Sequence, residues 1–162
     1  VEFSLRAFRT EDFEVLWSID QKCFAPGIAY PRPELAAYIQ RRGSFTIVAE
    51  RAAGKSGGIA GFIVAEASRR GVGHIITIDV LPDSRRSGLG STLLAAAEER
   101  LRKAPCHTVV LETAVDNASA LAFYKRHHYS VTKVVPRYYS TGVDAFVLEK
   151  ALLDSSSASP RR

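Results

Sequence analysis

The segment PDSRRSGLGSTLLAAAEERLRK, residues 82–103, constrains this chain more than any other. It follows a β-branched run, His74 to Leu81, that reads as a strand. Its second half places Leu89, Leu93, Ala97 and Leu101 on one stripe of a helix. Arg85-x-x-Gly88-x-Gly90 stands between the two. Glycine lets backbone approach a ligand closely, and the first amides of a helix point outward without intrahelical partners. A strand feeding a helix through such a turn makes an anion site that the helix dipole strengthens. The plainer alternative is a glycine turn that caps a surface helix.

The rest of the chain surrounds this unit with further elements. Ser4 to Phe8 reads as a first strand. Thr10 is a helix N-cap candidate, with Glu11 and Asp12 in the first turn. Phe13, Leu16, Trp17, Asp20, Cys23 and Phe24 then recur at helical spacing. FAPGIAYP is a loop, and Pro33 suits the first turn of a short second helix. Phe45 to Glu50 alternates as a strand, and Ile59 to Ala65 is apolar enough for burial on both faces. After the third helix, Thr108 to Thr113 is a strand. Asp116 or Asn117 caps a fourth helix through His127, and Val131–Val135 and Asp144–Leu148 are the last strands. The expected order is β-α-α-β-β-β-α-β-α-β-β. Its central strand–helix–strand unit requires one parallel pair among antiparallel strands, an α/β (α+β) architecture.

At 162 residues, with 46% hydrophobic and 24% charged side chains, the chain fits one globular domain, expected over residues 1–153. The polar stretch 154–162 is expected to be a disordered tail. No run approaches eighteen apolar residues, so no membrane span is expected. The first dozen residues are acidic and aromatic, unlike a signal or transit peptide. Two cysteines make no disulfide framework, and a reducing, cytoplasmic setting is the default. The net charge of +5 favours an anionic ligand, but no aromatic-interleaved basic stripe points to nucleic acid.

Three patterns mislead. Gly54-Lys55-Ser56 ends like a nucleotide-binding loop, but Ala49 stands where its first glycine belongs and a strand follows. Gly71-x-Gly73 lacks a third glycine, which Ile76 replaces. His74, His107, His127 and His128 lack metal-ligand spacing, so no metal is expected.

The stretches GHIITIDVLPDSRRSGLGSTLL, LETAVDNASALAFY and RYY at Arg137–Tyr139 resemble the GNAT superfamily of N-acetyltransferases. Within it the likeness is to protein N-terminal acetyltransferases, including the ribosomal-protein alanine type. The resemblance covers roughly residues 3 to 150. It implies a seven-stranded, mostly antiparallel sheet with a splayed central parallel pair, four helices, and acetyl-CoA as cofactor. It implies that amides of Arg86, Ser87, Gly88, Leu89, Gly90 and Ser91, with Arg85, hold the pyrophosphate. Ile78 and Val80 then pair with the pantetheine arm through free backbone groups, and an amide near Val80 faces the thioester oxygen. Asn117 touches the cofactor, or simply caps its helix. The resemblance makes Glu112 the general base and Tyr124 the acid that protonates the departing thiolate. Val109, Leu111 and Thr113 share the other strand face from Glu112. A buried structural acid and a core aromatic are the alternatives for Glu112 and Tyr124.

The resemblance also implies a peptide slot between the loops Phe24–Tyr30 and Arg137–Gly142, with Phe24, Tyr30, Tyr138 and Tyr139 gripping the acceptor. The first of these loops carries no acid. His128 stands where the family often ends its fourth helix with glycine, and is expected to take a left-handed C-cap. An α-amine titrates near ~8 and a lysine amine near ~10.4, a difference of about 3 kcal/mol in deprotonation at neutral pH. A carboxylate base therefore suits a protein or peptide N-terminus, with the protein a monomer or homodimer. Acetylation of a small amine, and a non-catalytic acyl-CoA-binding module, remain the alternatives.

Overall fold

A computed structural model describes residues 2–52 and 58–152, so Gly54-Lys55-Ser56 and the expected tail lie outside the described residues. Seven strands, β1 (Phe3–Ala7), β2 (Ser44–Arg51), β3 (Gly58–Ala67), β4 (Val72–Val80), β5 (Thr108–Ala114), β6 (Ser130–Val135) and β7 (Ala145–Ala151), form one sheet. Its order is β1-β2-β3-β4-β5-β7-β6. Every neighbouring pair is antiparallel except β4 and β5. The helices are α1 (Phe13–Cys23), α2 (Arg32–Gln40), α3 (Leu89–Lys103) and α4 (Ala118–Arg126). This is the expected element order and strand pairing.

Both faces of the sheet are covered, and the strand pattern shows how. Ile47, Ala49, Ile63 and Ala65 pack in one cluster with Leu93, Leu94 and Leu101 of α3. The alternate residues Val48, Phe62 and Val64 pack with Leu16 and Ile19 of α1. The period of two thus sends successive residues of β2 and β3 into different cores. The wholly apolar reading of Ile59–Ala65 has the same cause.

One cap differs from expectation. Thr10 does not cap α1; it opens a 3-10 turn, Thr10–Asp12, that runs into the helix. Asp12 organises that entry. Its carboxylate accepts the Arg9 N–H at 2.7 Å and the Arg6 guanidinium at 2.8 and 2.9 Å. An acidic side chain that accepts both an amide and a guanidinium holds the turn more strongly than a threonine hydroxyl.

At the other helix of interest the expectation holds. Asn117 caps α4, its Oδ1 accepting the Ala120 N–H at 3.2 Å. α4 ends with His128 at φ 72°. The Tyr129 N–H returns to Tyr124 O and the His128 N–H to Lys125 O, the two bonds of a Schellman C-cap.

Candidate active site

The two central strands part company after three residues. β4 pairs with β5 only where Val72, Gly73 and His74 meet Thr108, Val109 and Val110. β5 then continues beside β7 along its full length, and β4 beside β3. A bulge accompanies the parting: Val64 pairs with Thr77 and Ala65 with Ile75, leaving Ile76 extra. The facing edges of β4 and β5 open a cleft of about 1040 Å³.

The turn after β4 forms one end of this cleft. Arg86 and Gly88 both have positive φ, 62° and 83°, on either side of Ser87. Alternation of hand along a short turn curls its amides toward one side, the concave arrangement that receives anions. α3 begins directly after Gly88, so its free first amides join that concavity. A Cβ built on Gly88 meets nothing within 4 Å, so this wall is open for a ligand. Arg85, Arg86, Gly88, Leu89, Gly90 and Ser91 line the cleft, as do Ile78, Val80 and Asn117. Ser87 does not; its hydroxyl donates to Ser84 O at 2.6 Å. Arg85 folds back along the strand end, its Nε donating to Val80 O at 3.0 Å. That same carbonyl accepts the Cys23 thiol at 3.4 Å. Asn117 lines the cleft while its side-chain oxygen caps α4.

Glu112 and Tyr124 reach the cleft from opposite faces of the sheet. Val109 and Leu111 belong to the core under α3, so Glu112 projects to the face that α1 covers. Tyr124 of α4 packs against the α3-side core instead. Only where the sheet is split do both line one space. Burial holds the Tyr124 hydroxyl well above the usual tyrosine range, so it keeps its proton.

Reasoning from sequence missed the partner of Glu112. His74 Nε2 lies 2.7 Å from Glu112 Oε1, and His74 Nδ1 is 3.8 Å from Glu66. The signal was present in the strand pattern. His74 alternates with buried Gly73 and Ile75 as Glu112 alternates with Leu111 and Thr113, on two strands that run parallel.

Phe24, Tyr30, Tyr138 and Tyr139 all line the other end of the cleft. The two loops that carry them touch: Ser140 Oγ donates to Gly27 O at 3.0 Å. Tyr138 and Tyr139 stack edge to face at 4.9 Å, and Tyr30 meets Tyr38 the same way at 5.4 Å. Partial burial and the nearby Glu112 charge push the Tyr138 hydroxyl up to about 12. Tyr38 and Glu34 of α2 also belong to this wall, which the sequence did not disclose. Their loop-to-helix spacing gave no reason to aim them at the cleft. Among the described residues no group of three His, Cys, Asp or Glu side chains could hold a metal ion.

Residues 13–129 match the model of the Acetyltransferase (GNAT) family. The chain belongs to the GNAT acetyltransferases. It is therefore an acetyl-CoA-dependent N-acetyltransferase. An uncharacterized N-acetyltransferase of Methanocaldococcus jannaschii is 31% identical over 147 residues, 90% of each chain. An N-alpha-acetyltransferase of Saccharolobus solfataricus is 33% identical over 81 residues, 49% of this chain and 48% of that protein. The crystal structure of Ard1 from Thermoplasma volcanium superposes with a TM-score of 0.85 at 27% identity, covering 95% of this chain and all of that one. No helix among the described residues is long and apolar enough to cross a membrane.

Proposed function

We propose that this acetyltransferase acts on the α-amine of a protein or peptide N-terminus. The observation that carries the reading is the split between β4 and β5, with Glu112 and its histidine partner on one face and Tyr124 on the other. The acceptor enters on the Glu112 side, between the loops bearing Tyr30 and Tyr138. The donor lies with its diphosphate on the amides from Arg86 to Ser91, where the positive helix end meets negative charge. Bound there, acetyl-CoA supplies an activated acetyl thioester. The turn amides, Asn117 and the free edge of β4 at Ile78 and Val80 hold and orient it.

Glu112 takes the proton that the attacking amine must lose. His74 holds the carboxylate in place through the 2.7 Å contact. A new N–C bond forms as the C–S bond breaks, and Tyr124 donates to the departing sulfur from the opposite face. The separation of base and acid by the sheet matches the two sides from which amine and thiol must approach and leave. Positioning of two substrates supplies much of the remaining rate.

The tyrosine wall supports a peptide acceptor, since Tyr30, Tyr138 and Tyr139 combine flat apolar faces with hydroxyls. The relative named N-alpha-acetyltransferase supports the same acceptor class. Glu34 is the acid at that wall that favours a cationic group next to the reacting amine. The test is thiol release from acetyl-CoA with short peptides that bear a free or a blocked α-amine, alongside polyamines and amino sugars. Turnover confined to peptides with a free α-amine is the expected result. Turnover with small amines alone replaces the acceptor, and tight acetyl-CoA binding with no turnover leaves a binding module.

A further inference from the structure

β4 carries an acid in the interior. Asp79 is 0% exposed, and so is Asp20 on α1, the helix packed over it. Burial, and then the neighbouring Asp20 carboxyl, holds the Asp79 carboxyl well above the usual carboxylate range. Each acid spends one oxygen on a separate donor. Asp20 Oδ2 accepts the Tyr30 N–H at 2.7 Å, and Asp79 Oδ1 accepts the Thr77 hydroxyl at 2.5 Å. Asp20 Oδ1 and Asp79 Oδ2 are both buried and have no hydrogen-bond partner among the described residues. Carboxylate oxygens are acceptors, and two of them bond only when one holds a proton. Two adjacent anions in this apolar setting would be very costly.

The surroundings do not neutralise the pair. Cys23 faces it from α1, Tyr30 from the following loop, Tyr124 from α4 and Arg85 from beyond β4. Arg85 is the cation of this set, and its Nε is held by Val80 O. Tyr30 is what the pair secures. Besides its amide on Asp20, its carbonyl accepts Trp17 Nε1 at 3.1 Å and Gln21 at 2.8 Å, and its hydroxyl reaches Ile76 O at 3.3 Å.

We propose that Asp20 and Asp79 share one proton, and that this proton latches the α1–α2 loop, and with it the acceptor wall, onto β4 beside the split. Asp79 is then a positioning residue, since it does not line the cleft. The latch rests on the acetyl-transfer reading only in what it positions. Removing the proton places two anions in contact, and α1 and β4 separate at the point where Tyr30 is tied down.

Three measurements test the latch on the full chain. Infrared spectra at neutral pH are expected to contain a protonated-carboxyl stretch that D79N and D20N each abolish. Trp17 is the chain's one tryptophan, and its emission reports the Tyr30 contact without any substrate. Raising the pH should shift that emission in the wild type on the alkaline side of the carboxylate range and leave D79N flat. With acetyl-CoA and a peptide that turns over, D79L is expected to raise peptide KM about tenfold, the effect of one lost hydrogen bond, with kcat and acetyl-CoA KM nearly constant. D79N should restore the peptide KM and hold it to higher pH. A wild-type spectrum with no protonated carboxyl sensitive to D20N overturns the proposal even if D79N does not fold. Identical Trp17 profiles in wild type and D79N overturn it too. Infrared and emission results as expected, with no peptide turned over, leave the latch standing and remove the acceptor assignment.

Discussion

At the scale of single residues, the chemistry assigned to the cleft concentrates on Glu112. Its carboxylate is half-buried, bonded to His74, and exposed to the cleft between two strands. Replacing it with glutamine preserves size and one acceptor but removes the proposed base. E112Q is expected to lower kcat by about 10²–10⁴-fold, the usual worth of a positioned general base. Its acetyl-CoA affinity, read by calorimetry, should stay within about twofold of wild type, because the proposed seat of the diphosphate is the turn amides and not Glu112. H74A should lower kcat by less than E112Q, since it leaves the base present and only loosens it. An E112Q/H74A double variant no slower than E112Q is the signature of two residues acting as a unit. If the double variant loses the product of both effects, His74 acts independently and the pairing has been misjudged.

The elements make their own claims, and the turn that opens α3 is the most testable. Gly88 sits at φ 83°, a conformation that costs an L-residue about 1–2 kcal/mol. G88V should therefore lose stability by roughly that amount and lose acetyl-CoA binding besides, because its side chain enters the open wall of the cleft. His128 supplies the control. It holds the same hand at the end of α4, at φ 72°, and does not line the cleft. H128G should leave binding unchanged and raise the thermal midpoint, by relief of up to about 1 kcal/mol. Gly88 was legible in the sequence as a glycine turn between a strand and a helix, and His128 through the resemblance, as the residue standing where the family often has a C-cap glycine. The cap of α1 was not. Thr10 looked adequate on local rules, but a guanidinium from β1 recruits Asp12 to that task, and such a partner is set by tertiary contact. His74 was hidden for a related reason: its meaning depends on a parallel neighbour 38 residues away. Asp20 was visible on the helix stripe, yet its value as an acid appeared only when β4 brought Asp79 against it.

For the whole molecule, stability depends on pH through two buried acids with opposite habits, Asp12 beside the edge strand β1 and Asp79 on β4. The Arg6 guanidinium holds the Asp12 carboxyl below its ordinary value. Its contribution is present above the unfolded carboxyl range near ~3.9 and is lost as pH falls through the lower, folded value. Asp79 behaves in the reverse sense. Burial and the neighbouring Asp20 raise it well above the ordinary value. The folded state then holds a proton that the unfolded state releases, so stability declines as pH rises from the unfolded value through the folded one. Asparagine at position 79 keeps a donor for Asp20 and has no proton to lose. Urea unfolding of wild type, D12N and D79N from pH 3 to pH 9 should therefore separate the two groups. D12N should be weaker than wild type at neutral pH and converge with it in acid. D79N should gain on wild type steadily toward alkaline pH, while the two are nearest at low pH. A D79N midpoint that tracks wild type across the whole range would mean that Asp79 ionises freely in the folded protein, which a side chain closed between α1 and β4 has no water to support.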